Sequence, residues 1–483
     1  MEQLKKDAIS YIDEKSDIVI DTAKKIWEYA ELSLMEYKSA ELYCKVLEDN
    51  GFEVEKGLCN VPTSFCGSYG SGFPVIGILA EYDALSGLSQ KAGSAVREEI
   101  VKGGTGHGCG HNMLGAGSLA AAFAIKKFLE ESGVSGTVKF YGCPGEEGGA
   151  GKAFMAREGL WYNLDAALTW HPSDCNEVSS GSTNSSIQIE YRYKGIASHA
   201  AGDPELGRSA LDAVELLNIG VQFLREHMPD NARVHYAIID GGGVSPNVVQ
   251  PKASVLYMIR ENTVHKCIDL VKRVDKIAEA AAMMTDTTLE RIFIDGTAEI
   301  IPNYTLEKVM YKNFLEVGVP TYTKEELDFA EAIKNTYKDV IPDILPGGAT
   351  DSHPEIAEFV KEASLNGTKI MNDFIIPQCD SSHQSMGSTD VADVSWQTPT
   401  AQIHAATYPS NAPGHSWQHV AVGNSSVGFK GMITAGKVIA GTAIDLFLDP
   451  SVLDVAKEEF TKKTVKGYLC PIPDGVPPTI PGQ

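Results

Sequence analysis

The chain has 483 residues, 43% hydrophobic and 22% charged, with a formal net charge of −23. That length exceeds what one compact core serves, so at least two domains are expected. The acidity excludes a nucleic-acid or anionic-membrane surface, which needs clustered Lys and Arg.

Nine cysteines are scattered along the chain with no CxxC pair, which reads as reduced thiols rather than a disulfide framework. Residues 1–17 are polar and lack the apolar core of a signal peptide. The longest apolar run, 427–448, is interrupted by Lys430, Lys437 and Asp445 and reads as a buried helix rather than a membrane span. The expected compartment is therefore the cytoplasm.

Apolar positions at helical spacing predict one amphipathic helix over 3–34 and a second over 39–50, stopped by Gly51. Residues 52–55 and 63–68 read as short strands. The run VIGILA at 75–80 reads as an interior strand covered on both faces, and it ends in Glu81-Tyr-Asp83. A glycine-rich stretch, TGHGCGHN at 105–112, precedes a small-residue helix predicted over 113–129. The strand expected at 136–142 runs into Pro144-Gly-Glu-Glu147, and the one at 164–170 ends in His171-Pro172. Three strands thus lead directly into acidic or imidazole side chains. In open α/β sheets, sites gather beyond the carboxyl ends of strands, so these groups are expected to meet.

From about residue 185 the pattern becomes strand 187–193, helix 209–225, strands 234–239 and 254–259, helix 268–284 and strand 288–294. That order, β-α-β-β-α-β, is the ferredoxin-like one. The fold expected is α/β with an inserted ferredoxin-like α+β domain. The divisions are 1–184 and 304–483 for the two parts of the first domain and 185–303 for the insert.

Cys109 and His111 are metal-ligand types two residues apart, with glycines that let the backbone bend around an ion. Alone they are as readily a buried thiol and a structural histidine. Glu146 and Glu147 fit a solvated turn, or a pair in which one carboxylate holds a metal and the other takes a proton from an activated water. In an extended segment successive side chains point to opposite sides, as that division requires. His171 and His415 are further candidates, with His404 and His419 as rivals to His415. Asp83 sits where a carboxylate steadies a metal-bound imidazole from behind. Residues 145–153 lack the first glycine and the Ser/Thr of a phosphate loop, and no GxSxG elbow occurs.

Taken in order, Asp83, Cys-Gly-His at 109–111, Glu-Glu at 146–147, His-Pro at 171–172 and Gly-His-Ser at 414–416 resemble the zinc-type peptidase and amidohydrolase family. That family contains aminoacylases, glutamate carboxypeptidases and auxin-conjugate hydrolases. The Cys-Gly-His variant resembles its amidohydrolase branch. GHGCGHNMLG, GEEGGAGKAFMAREGLW, DAALTWHP and APGHSWQH are most similar to the bacterial aminobenzoyl-glutamate utilisation subgroup.

The resemblance implies a zinc-peptidase-like catalytic domain with a mixed central sheet, the insert serving as lid and dimerisation domain. It implies two divalent ions, Zn, Mn or Co, held by Cys109, His111, Glu147, His171 and His415, with Cys109 bridging and Glu146 as general base. It further implies that His199 reaches a neighbouring subunit's site and that Asn247 and Arg260 contact substrate. Asn112 stands where the family usually has Asp, and Thr389-Asp390 where a Glu-Asp pair is common.

The function so implied is hydrolysis of N-acyl, above all N-aroyl, amino acids, with p-aminobenzoyl-glutamate as first candidate. A homodimer through the lid, or a related partner subunit, accompanies it. Auxin-conjugate or dipeptide hydrolysis is the alternative within the family, and a catalytically silent scaffold is the alternative outside enzymology.

Overall fold

The computed structural model describes residues 1–348 and 353–479. The expected span 304–483 therefore includes two short stretches that lie outside the described residues. Val75–Ala80 runs through a seven-stranded sheet. Its order is Glu53–Lys56, Phe65–Ser71, Gly136–Gly142, Val75–Ala80, Ala166–Ser173, Thr400–Ala406, Glu177–Ser179. The four strands from Gly136–Gly142 to Thr400–Ala406 are parallel, and antiparallel strands close both edges. The sheet is mixed, as expected. Val75–Ala80 is apolar throughout because both its faces are covered: Ile76, Ile78 and Ala80 enter the main core, and Val75 and Leu79 a smaller one with Tyr141 and Trp161.

The helices His111–Ser132 and Ser426–Leu448 pack almost backbone to backbone over one face. A Cβ on Gly436 would lie 2.7 Å from the Gly117 carbonyl oxygen, and one on Gly117 would meet the Trp170 ring at 2.7 Å. The small residues of these helices are thus a packing requirement. Among the described residues, Ser426–Leu448 is the one helix long and apolar enough to cross a membrane, and it is mostly buried within the fold.

Several strand and helix ends shift by a few residues, and two of the differences bear on the packing. The helix predicted over 3–34 is two helices, Glu2–Glu14 and Ser16–Tyr29, broken at Lys15 with neither Gly nor Pro present. The first packs against His111–Ser132 and Ser426–Leu448, the second against His111–Ser132 and Tyr37–Asp49. Each segment follows its own neighbours, and a periodicity count does not see neighbours. The second difference is that His111 is itself the first residue of its helix, because Gly110 is the cap.

The inserted unit is a four-stranded antiparallel sheet ordered Thr288–Thr297, Ser185–Lys194, Lys252–Glu261, Arg233–Asp240. Helices Ala210–Arg225 and Val264–Thr285 bury their apolar sides against it. Ser209 and Thr263 cap them through side-chain oxygens that accept from the Asp212 and Lys266 N–H groups. Arg233–Asp240 is an edge strand that leaves Tyr236, Ile238 and Ile239 exposed.

Just beyond Thr288–Thr297, the buried Asp393 carboxyl accepts from the Ala298 N–H at 3.1 Å and the Tyr468 hydroxyl at 2.7 Å. Burial pushes this carboxyl up to about 8, against the opposing effect of those two hydrogen bonds. A carboxyl raised above its unfolded value of 3.8 keeps a proton in the folded state that the unfolded chain releases. Its contribution is therefore full below about pH 4 and is lost as pH rises through about 8. Thermal melts of Asp393→Asn across that window are expected to show a shallower fall in stability with pH than the parent.

Candidate active site

The carboxyl ends of three parallel strands bring the ionisable groups together. Val75–Ala80 delivers Glu81 and Asp83, Gly136–Gly142 leads to Glu146 and Glu147, and Ala166–Ser173 carries His171. Cys109 and His111 enter from the loop before the His111–Ser132 helix, on either side of Gly110. That glycine has φ +81°, and a Cβ there would lie 2.1 Å from the Tyr408 hydroxyl oxygen, so only glycine allows the turn. His415 sits at φ +50° one residue before Ser416, whose side chain caps the helix Trp417–Val422.

Two donor triplets share one sulfur. Cys109, His111 and His171 have ligand atoms within 4.8 Å of one another, as do Cys109, Glu147 and His415. Within them, Cys109 Sγ lies 3.4 Å from His171 Nε2, and His415 Nε2 lies 3.5 Å from Glu147 Oε2. A third triplet, Glu81, His111 and Glu146, shares His111, whose Nε2 is 3.2 Å from Glu81 Oε2 and 3.9 Å from Glu146 Oε2. All of these groups except His111 line a cavity of about 700 Å³ that Arg260 also faces, a volume suited to a small ligand.

Asp83 organises the cluster from behind. Its Oδ1 is 2.8 Å from His111 Nδ1, and its Oδ2 accepts from the Glu147 N–H at 2.9 Å and the Ser33 hydroxyl at 2.7 Å. With Nδ1 engaged by a carboxylate, His111 presents Nε2 to the cavity side. Burial pushes the Asp83 carboxyl up, but the His111 imidazole and these hydrogen bonds outweigh it and bring it down to about 2. Burial, then the Glu81 and Glu147 carboxylates, hold Glu146 well above the ordinary carboxyl range.

Glu81 is a residue that sequence reasoning passed over in favour of Asp83, its neighbour but one. Its Oε1 lies 2.7 Å from Lys152 Nζ, and Lys152 also pairs with Asp390; the Lys152 and Asp390 side chains are wholly buried and that of Glu81 is 3% exposed. Asp390 Oδ2 also accepts from the Lys152 N–H at 2.8 Å. Asp390 is the second residue of the Thr389-Asp390 pair, and here it fixes the lysine that holds Glu81. The signal for Glu81 was its place at the end of a buried strand. Nothing local marks the link from Lys152 to Asp390.

The donor set fits divalent ions. Glu81 Oε2, His111 Nε2 and Glu147 Oε1 are buried with no hydrogen-bond partner, although buried polar atoms are ordinarily satisfied. One thiol, three imidazoles and several carboxylates suit Zn, Co or Mn. The rivals to His415 are engaged otherwise. His419 stacks on Tyr408 at 3.7 Å and bonds the Gly108 carbonyl, while His404 pairs with Glu177. Arg260 donates to Ser388 Oγ at 2.6 Å in the cavity wall. His199 and Asn247 stand apart from the cluster: both are exposed on the inserted unit and neither lines the cavity.

Residues 77–416 match the peptidase family M20/M25/M40. The chain belongs to that family. It is 44% identical over 469 residues to one of the p-aminobenzoyl-glutamate hydrolase subunits of Escherichia coli K12, covering 95% of each chain. It is 27% identical over 488 residues to the Xaa-Arg dipeptidase of Mus musculus, covering 97% of this chain and 95% of the dipeptidase. Among solved structures, the Bacillus subtilis YxeP protein superposes with a TM-score of 0.54 at 17% identity, covering 90% of this chain and 99% of YxeP. YxeP is described as a dinuclear metal-binding peptidase of family M20, and the two share a fold. As a member of M20 and a relative of a named hydrolase, the chain is a metal-dependent amidohydrolase.

Removing one partner from the buried trio tests its weight. Lys152→Met leaves the Glu81 and Asp390 carboxylates buried without their cation, a loss of about 3–5 kcal/mol for such pairs. The variant is expected to melt at a markedly lower temperature, measured by calorimetry, and to retain less bound metal.

Proposed function

We propose that the chain hydrolyses the amide bond of N-aroyl amino acids, with p-aminobenzoyl-glutamate split to p-aminobenzoate and glutamate as the first substrate to test. The observation that carries this reading is the pair of donor triplets joined at Cys109, with Glu146 beside them and outside both. The 44% identity to a chain of p-aminobenzoyl-glutamate hydrolase supports the choice of substrate. Cys109, His111, Glu147, His171 and His415 are the residues that would hold two divalent ions.

Such ions, when bound, make water more acidic and polarise the amide carbonyl. The rest of the work falls to side chains. Glu146 takes the proton from the attacking water and returns it to the leaving amine nitrogen as the C–N bond breaks. Asp83 holds the His111 ring in the tautomer that turns Nε2 toward the reaction. Arg260, in the cavity wall, pairs with the carboxylate of the amino-acid half, where a guanidinium makes two parallel hydrogen bonds.

We assign residues 185–303 to a lid that also joins two copies of the chain. The exposed apolar side chains of the edge strand Arg233–Asp240 support this, as does the exposure of His199 and Asn247 away from their own cavity. In the dimer, those two residues serve the neighbour's site, His199 donating to the oxygen that gains charge. The Escherichia coli relative is one of two differently named subunits of its hydrolase, which makes a related partner chain the other assembly to test. Nine unpaired cysteines support a reducing, cytoplasmic setting.

Glu146→Gln is expected to lower kcat by about 10²–10⁴ while mass spectrometry still finds as many bound ions as in the parent. Near-parental turnover in that variant removes the assigned base. His199→Ala is expected to be equally silent alone, yet mixing the two inactive variants is expected to restore partial activity. One site of each mixed dimer then has an intact Glu146 from one chain and an intact His199 from the other. Assays of p-aminobenzoyl-glutamate against Xaa-Arg dipeptides and auxin-aspartate decide the acyl and amino-acid preference.

A further inference from the structure

A second group of metal-ligand side chains lines the same cavity and takes no part in the mechanism above. Strands Ala166–Ser173, Thr400–Ala406 and Glu177–Ser179 lie side by side, with His171 in register with His404 and His404 in register with Glu177. Side chains at one register on adjacent strands project from the same face. His171, His404 and Glu177 therefore form a row, the two rings centred 6.2 Å apart.

His404 Nδ1 lies 3.0 Å from Glu177 Oε1. A His–Glu pair across two strands is by itself an ordinary cross-strand contact. Cys175 changes the picture. Its sulfur, a Glu177 carboxylate oxygen and a His404 ring nitrogen all lie within 4.8 Å of one another. Cys175 and Glu177 are buried, while His404 is partly open to the cavity that all three line. Among the described residues Glu177 pairs with this imidazole rather than with a Lys or Arg, and the Gly348 N–H donates to its carboxylate at 3.1 Å. The triangle thus has the geometry and donor types of the triplets around Cys109.

We propose that Cys175, Glu177 and His404 bind a third divalent transition-metal ion in the wall of the active-site cavity. Sulfur, nitrogen and oxygen donors together select a borderline-soft ion such as zinc or cobalt over magnesium or calcium. Three protein ligands leave a fourth position, and the cavity supplies the space for a carboxylate or amine of the substrate to fill it. The site rests on the reading of the Cys109 cluster only for the count of the other ions.

Cobalt-loaded full-length protein provides the test, because Cys109 and Cys175 are the two thiolates that the two assignments require. A cobalt–thiolate charge-transfer absorption is expected to persist in Cys109→Ser and to vanish in Cys109→Ser/Cys175→Ser. Its absence from Cys109→Ser overturns the third site while leaving the Cys109 cluster to stand or fall on the parent's spectrum. Metal counting by mass spectrometry after zinc loading and dialysis is the second measurement. Three ions per parent chain and two in Cys175→Ser/His404→Ala, with unchanged circular dichroism, support the proposal. Two ions in the parent, or an equal count in parent and variant, overturn it.

Discussion

The molecule depends on how it neutralises carboxylates gathered in one dry place. Glu81 and Asp83 follow the end of a parallel strand and are buried with Asp390, while Glu146 and Glu147 beside them are partly open to the cavity. Like charges so close cannot all stay ionised without cations. The chain provides one cation of its own, the Lys152 ammonium between Glu81 and Asp390, and sets the His111 ring between Asp83 and Glu81. Three donor atoms still face inward with no hydrogen-bond partner. Divalent ions would supply the remaining answer, so the charge problem and the candidate metal centre coincide.

That arrangement explains why the surrounding fold is so tight. The His111–Ser132 helix carries a donor at its first residue and is pressed against Trp170 and the Ser426–Leu448 helix by glycines. Trp170 in turn precedes His171 and donates from its indole to the Leu114 carbonyl at 2.9 Å. Two of the donors are therefore set by the same dense packing, and neither moves without disturbing the core.

Much of this was legible because the informative residues interrupt strong local patterns. An apolar strand running into Glu-Tyr-Asp, another ending in His-Pro, and a Cys-Gly-His turn before an alanine-rich helix each stand out without any knowledge of contacts. The β-α-β-β-α-β order was equally plain, since strand-like and helical runs follow one another in that sequence from about residue 185. What stayed hidden depends on pairing across the chain. Lys152 looks like one more charge after a glycine-rich turn until Asp390 is brought against it, and Glu81 reads as a turn acid until Lys152 and His111 flank it. The break at Lys15 carries no Gly or Pro, so only its diverging neighbours reveal it. Cys175, Glu177 and His404 were invisible as a group because two of them sit on strands that meet only through the sheet order.

The cluster is not equally protected on all sides. Cys109, His111, Glu147 and His171 are held in or against the core, whereas the His415 side chain is 58% exposed on a turn at positive φ. An ion among these donors would lose the His415 ligand most easily, since one exposed imidazole swings aside more cheaply than a helix or strand shifts. A chelator entering the cavity would find that ring the least anchored of the five donors.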